Sequence, residues 1–327
     1  MSTFEISRRD LFLASTAMAG GLASASIMGT AEAAVRHSDI QSPGFKRFKL
    51  GDFEITTLLD GLRPGDGPHP TFGANQTQET VAELMRNNFL PETKFVNGFT
   101  PVLINTGSDV VLVDTGFGVG GRENGLGQLE NNMKAAGYTP DAVTVVLITH
   151  MHGDHIGGLM NGDKPAFANA RYVGGQIEYD FWTDAARTGT PAENNAKAVN
   201  AKVKPLADKF TFIKAGDEVV PGITSEAAYG HTPGHMIFHV ESAGKRLVLT
   251  ADTANHYVAS LQRPEWEVSF DGDKAMAAET RKKVFDKIAA DKVPFIGYHM
   301  PFPSVGYAEK LETGYRFVPA TYQFDVG

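Results

Sequence analysis

The sequence predicts an α+β fold: a sandwich of two mixed β-sheets with helices on its outer faces. Three observations point there. Short strand-like apolar runs come in two batches separated by helical stretches, ligand-type residues stand at the carboxyl ends of several runs in both batches, and neither a short-period repeat nor a low-complexity linker divides the 327 residues. A composition 42% hydrophobic and 21% charged suits one large globular domain. The net charge of -8 is diffuse, which disfavours a nucleic-acid partner. With no cysteine, disulfides, thiolate metal sites and a cysteine nucleophile are all excluded.

Residues 1–33 read as an export address. Ser7-Arg8-Arg9-Asp10-Leu11-Phe12-Leu13 resembles a twin-arginine signal, and an Ala/Gly-rich stretch leads from it to the cleavage-type triplet Ala31-Glu32-Ala33. The expected mature domain is 34–327, exported to a periplasm or secreted. Ala14, Gly20, Gly21, Ala23 and Ser24 make the leader too weakly apolar for a stable membrane anchor.

In the mature chain, runs at 45–50 and 53–59 flank Gly51-Asp52 as an antiparallel pair. The segment 61–73, with Pro64, Pro68 and Pro70, reads as a loop. Thr77 can cap a helix whose Val81, Leu84, Met85 and Phe89 share one face. Strands follow at 99–104 and 110–113, a helix at 126–136 closed by Gly137, and a nearly unbroken apolar strand at 143–148. Helices at 176–184 and 192–204 precede strands at 210–213, 223–228, 236–240 and 246–249. A long helix covers 274–289, and 295–297 and 315–323 are the last strand segments.

Immediately after the 143–148 strand comes His150-Met151-His152-Gly153-Asp154-His155. Four metal-ligand residue types at HxHxDH spacing, leaving a buried strand end, can aim two imidazoles at one ion while Asp154 and His155 reach a second. A two-metal site needs about six or seven protein ligands, so the rest must lie downstream. Gly230-His231-Thr232-Pro233-Gly234-His235, Asp252 after Leu247–Ala251, and His299 after Ile296-Gly297-Tyr298 offer them at strand ends. Either His231 or His235 could serve. His239 is expected in the core or beside the ligands, and His37, His69 and His256 at the surface. Gly116-Phe117-Gly118-Val119-Gly120-Gly121 fits the dinucleotide fingerprint GxGxxG, but the next strand ends in metal ligands and not in an acidic ribose contact, so it is read as a decoy.

In this order the motifs resemble the metallo-β-lactamase superfamily over essentially the whole mature chain. The resemblance implies an αββα sandwich holding two divalent metal ions, zinc foremost with iron, manganese or cobalt also acceptable. It places His150, His152 and His235 on the first ion, Asp154, His155 and His299 on the second, and Asp252 between them, with Asp154 also taking up the nucleophile's proton. Asp114 would orient the ligands, and His231 would be their hydrogen-bonding neighbour. Gly51–Thr56, Gly157–Met160, Pro301-Phe302-Pro303 and Gly314–Pro319 look like the methyl parathion hydrolase branch, where Trp182 matches a substrate-pocket tryptophan. Trp182 is thus either pocket wall or packing, and Phe117 a further pocket candidate.

That resemblance implies an exported hydrolase whose metal-bridging hydroxide cleaves lactones, aryl esters or organophosphate triesters, with a homodimer as an attendant expectation. Acyl-homoserine lactonases carry a Tyr three residues after the bridging Asp, where this chain has Asn255. Without that donor, aryl and enol leaving groups fit better than alkoxides. The rival class is a metal-binding protein without turnover.

Overall fold

The computed structural model describes residues 44–322. The segment 1–33 read as an export signal, with its expected cleavage site, and His37 lie outside the described residues. Eighteen strands and seven α-helices are described. The strands are β1 (Phe45–Leu50), β2 (Phe53–Leu58), β3 (Gly61–Asp66), β4 (Lys94–Phe99), β5 (Val102–Asn105), β6 (Val110–Val113), β7 (Val145–Leu147), β8 (Met160–Asn161) and β9 (Lys164–Pro165). They continue with β10 (Arg171–Gly175), β11 (Phe210–Ile213), β12 (Glu218–Val220), β13 (Ile223–Ala227), β14 (Met236–Ser242), β15 (Lys245–Ala251), β16 (Phe295–Gly297), β17 (Val305–Lys310) and β18 (Tyr315–Pro319). The helices are α1 (Gln78–Asn87), α2 (Leu129–Ala135), α3 (Gly153–Ile156), α4 (Gln176–Thr183), α5 (Glu193–Lys202), α6 (Ala259–Gln262) and α7 (Lys274–Asp291).

Two seven-stranded mixed sheets form the sandwich, in the orders β1-β2-β5-β6-β7-β10-β11 and β12-β13-β14-β15-β16-β17-β18. In the first, β6, β7, β10 and β11 run parallel. In the second, only β15 and β16 do. The unbroken apolar runs follow from burial on both faces. Val111, Val113, Val145 and Leu147 point into the core between the sheets, where they meet Phe238, Leu247, Leu249 and Ile296. Their alternates Leu112 and Val146 face the outer layer that contains Met133, Trp182 and Val199. Val248 and Phe295 likewise face Val284, Phe285 and Ile288 of α7. The predicted αββα layering is therefore the observed one.

Several local expectations change. Gly61–Asp66 is a strand paired antiparallel with Lys94–Phe99, with Arg63 opposite Asn97. Pro64 is tolerated because this ribbon has only two strands. Phe89 is 98% exposed: Thr77 caps α1 as expected, but the helix stops at Asn87 and Phe89 turns outward with φ 59°. Strands β10, β12 and β17 had no clear period to announce them. Among the described residues, no helix is long and apolar enough to cross a membrane.

Candidate metal centre

The HxHxDH segment leaves β7 at the sandwich rim. Asp114, at the end of the neighbouring β6, accepts hydrogen bonds from the Thr149 backbone N–H (2.9 Å), the Thr149 hydroxyl (2.8 Å) and His155 Nδ1 (2.8 Å). Its one carboxylate thus fixes both the strand exit and the His155 ring. His152 stands at the N-cap of α3, whose first turn carries Asp154 and His155. Tyr298 lies against the His155 ring with centroids 3.9 Å apart, and its hydroxyl donates to the Asp154 carbonyl at 2.6 Å.

The second sheet supplies the remaining donors. Asp252 immediately follows β15 and His299 lies two residues past β16. His299 Nδ1 donates to the Gly98 carbonyl of the β3–β4 ribbon (2.9 Å), leaving Nε2 for the site. The two histidines between β13 and β14 exchange their expected places. His235 Nδ1 donates to the Ala228 carbonyl (2.9 Å) and its Nε2 accepts the Asp252 backbone N–H (3.1 Å), so neither ring nitrogen is free. His231 Nδ1 donates to Asp271 (2.9 Å), while its Nε2 lies 3.0 Å from His152 Nδ1 and 3.3 Å from Asp252 Oδ2. His231, not His235, therefore joins His150 and His152.

Three three-residue groups result, His150/His152/His231, Asp154/His155/His299 and, linking them, His150/His155/Asp252, with the donor atoms of each within 4.8 Å of one another. Asp252 sits between the first two. Its Oδ2 is 3.9 Å from His150 Nε2 and 3.1 Å from His299 Nε2, and its Oδ1 is 3.2 Å from His155 Nε2. Asn255 Nδ2 donates to Oδ2 at 2.9 Å. Despite their proximity, His155 Nε2 and Asp252 Oδ1 are buried without a hydrogen bond, a costly state for polar atoms unless another partner fills the gap. Orphaned imidazole and carboxylate atoms facing one another suit a divalent cation of the zinc class.

Charge regulation favours the same occupant. Burial, aided by repulsion from neighbouring imidazoles, holds His150 and His152 well below the usual histidine range, so their lone pairs stay open. Burial opposes protonation of His155, but Asp252, Asp114 and Asp154 outweigh it and hold the group well above its ordinary value. Burial is likewise overcome at His231, which Asp252 and Asp271 push up to about 9. Burial, reinforced by His231, pushes His235 down to about 3. Burial would raise Asp252, yet His299 and His155 keep it well below the carboxylate range. The protons drawn to His155 and His231 mark where a cation would compete.

A cleft of ≈ 260 Å³ opens over these donors, walled by Arg63, Asn97, Phe99, Asn195 and Phe270. Trp182 is buried, its ring centroid 5.8 Å from that of His152 and its indole N–H donated to Glu178 (2.6 Å). It packs beneath a donor and does not line the cleft. Phe117 likewise supports the wall, edge-on to Phe99 at 4.8 Å. The glycine-rich loop wraps a carboxylate of the chain itself: Asp60 accepts from the backbone N–H groups of Phe117, Gly127 and Leu129. Gly116, at φ 65°, is required there because a Cβ would lie 2.3 Å from the Asp60 carboxyl carbon.

Four supporting residues escaped the sequence reading. Glu178 accepts from the backbone N–H groups of Met151 and Gly234 and so ties the two histidine motifs together. Asp271, Arg281 and Tyr298 are the others. Glu178, Asp271 and Arg281 are lone polar residues outside any motif, and Tyr298, though next to His299, reads in the sequence as part of an apolar strand end. His239 is neither core nor ligand neighbour, pairing with Glu226 at 2.6 Å in a half-buried position. His256, expected at the surface, is buried.

A family model described as the metallo-beta-lactamase superfamily matches residues 100–291. The chain is 27% identical over 173 residues to N-acyl homoserine lactonase AiiA of Bacillus thuringiensis subsp. kurstaki, covering 52% of this chain and 62% of that protein. It therefore spans less than two thirds of this curated relative. Among solved structures, AidC, described as a dizinc quorum-quenching lactonase in complex with a product, superposes with a TM-score of 0.80 at 27% identity, covering 85% of this chain and 98% of that one. Hydrolase AbOPH of the beta lactamase superfamily gives 0.79 at 26% identity, with coverage of 86% and 99%.

Proposed function

Since the chain belongs to the metallo-beta-lactamase superfamily, we propose that it is a dinuclear metal-dependent hydrolase of lactones and aryl esters. One observation carries the reading: two three-donor groups flank a single buried carboxylate whose free oxygen faces an orphaned imidazole nitrogen. His150, His152 and His231 would hold one divalent ion, Asp154, His155 and His299 the other, and Asp252 would lie between. Bound there, the ions would polarise a carbonyl and lower the pKa of water from about 15.7 to roughly 7. Zinc is the foremost occupant, in keeping with the dizinc description of AidC.

The chain's own groups do the rest. Asp154, with its side chain 20% exposed at the cleft floor, can accept a proton there. Phe99 and Phe270 offer apolar walls to the organic part of a small ester. Asn255 holds Asp252 in place but has no acidic proton to give a departing alkoxide. Leaving groups stable as anions, phenolates and enolates, suit such a site.

The test is metal analysis combined with a kinetic panel of dihydrocoumarin, an N-acyl homoserine lactone, phenyl acetate and methyl paraoxon. Turnover of the lactone or ester substrates that disappears on chelation supports the reading. A protein holding two ions that leaves all four untouched overturns it, and turnover of methyl paraoxon alone would favour a dedicated phosphotriesterase. Export by the twin-arginine route is proposed on Arg8-Arg9 and the Ala31-Glu32-Ala33 triplet. Replacing both arginines with lysine should retain the protein in the cytoplasm, and unchanged export would refute the route.

A further inference from the structure

Helix α7 does more than cover the second sheet. Arg281, in its middle turns, is fully buried. Its Nε donates to the Thr253 carbonyl (2.9 Å), Nη1 to the Pro264 carbonyl (2.8 Å) and Nη2 to Asp271 Oδ2 (2.8 Å). The other Asp271 oxygen accepts the His231 Nδ1 proton at 2.9 Å. The same helix and the two residues before it also grip the backbone beside His231. Thr280 Oγ1 donates to Tyr229 (2.7 Å), Asp273 N–H to Gly230 (2.9 Å) and Gly272 N–H to His231 (2.9 Å). At Gly230, φ is 122° and a Cβ would meet the Ala277 nitrogen at 2.3 Å, so helix and loop touch backbone to backbone.

We propose that the Arg281–Asp271 pair is a positioning device that sets His231 and the Asp252 turn for metal binding. Arg281 locks the Asp271 carboxylate, which fixes the His231 ring with Nε2 toward the site. Through the Thr253 carbonyl the same guanidinium steadies the residue after Asp252. Stability alone is a poor reason to bury such a pair, because apolar side chains of similar volume commonly do as well in that role. Orientation of a ligand is a reason that apolar side chains cannot supply. The inference rests on the metal-site reading above.

The test is competitive zinc titration against a chromophoric chelator, with thermal melting alongside, of the parent, Arg281→Met/Asp271→Leu, Asp271→Asn and His231→Gln. The parent should take up two ions. The double variant, with both charges removed, should melt cooperatively yet bind one ion about 10–100-fold more weakly, reproducing the His231→Gln pattern while the other ion is held as in the parent. A purely structural pair predicts zinc affinity restored along with folding; parental affinity for both ions would overturn the inference. Should the double variant not fold, Asp271→Asn, which keeps the volume, is judged by the same criterion. A parent that binds no zinc sinks the metal-site reading itself, and the inference with it.

Discussion

Asp252 Oδ1 and His155 Nε2 face one another at 3.2 Å, both buried and neither hydrogen-bonded. Each such atom costs about 1–3 kcal/mol if nothing satisfies it. Metal binding and folding should therefore be linked. Free zinc at a hundredfold its dissociation constant would add about 2.7 kcal/mol, equivalent to roughly 4–5 °C in Tm for a chain of this size. Calorimetry with and without a strong chelator measures the shift; identical melting curves would contradict it.

His231 and His235 should respond differently to the same change. His231→Gln removes a donor and is expected to weaken metal binding at least about 10-fold, with a comparable fall in kcat/KM. His235→Gln breaks two internal hydrogen bonds, at a cost of about 1–3 kcal/mol, and should keep both ions. Elemental analysis after dialysis, set beside denaturation midpoints, separates the two outcomes. Loss of metal from the His235 variant with normal content in the His231 variant would reverse the assignment.

Much of this architecture was legible in the chain because burial on both faces writes itself as continuous apolar runs, and β7, β14 and β15 carry that mark. The ends of those runs also announced His150, His152, Asp154, His155, Asp252 and His299. The choice between His231 and His235 was not legible. Both sit in one short loop, and the deciding facts are Asp271, forty residues downstream, and the Ala228 carbonyl. The ribbon β3–β4 was hidden by Pro64 and its glycines, whose local turn preference is overridden by pairing with a distant strand. Arg281 looked like any solvent-facing residue of an amphipathic helix until tertiary structure enclosed it.

Because Asn255 stands where a proton donor would be useful, departure of the leaving group should limit the rate. Across a series of phenyl acetates or aryl lactones, kcat/KM is expected to fall steeply as the pKa of the departing phenol rises. Alkyl lactones should lag by about 10²-fold or more, the range that general acid catalysis ordinarily supplies. A rate indifferent to leaving-group pKa would show that some other residue provides the proton.

His256 predicts a pH effect away from the metal donors. It is buried against Phe72 and Tyr257, and its Nδ1 accepts the Val258 and Ala259 N–H groups at the start of α6. Burial pushes it down to about 4 from an ordinary 6.5. Between those values the unfolded chain binds the proton and the folded chain does not, so stability falls as pH drops from 6.5 towards 4, by about 3 kcal/mol in all, and is unaffected above that window. His256→Asn keeps a capping oxygen without the titration. Urea midpoints of parent and variant should converge on acidification from pH 7 to 4.5; a constant difference would refute the assignment.

The donors are divided between the layers of the sandwich: His150, His152, Asp154 and His155 leave the first sheet, while His231, Asp252 and His299 leave the second. A pair of cations at this rim would act as a rivet through both leaves. Prying the leaves apart, by heat or by mechanical pulling, would then have to break coordination bonds before it could expose the core, so the seam proposed to perform the chemistry would also be the one that resists opening.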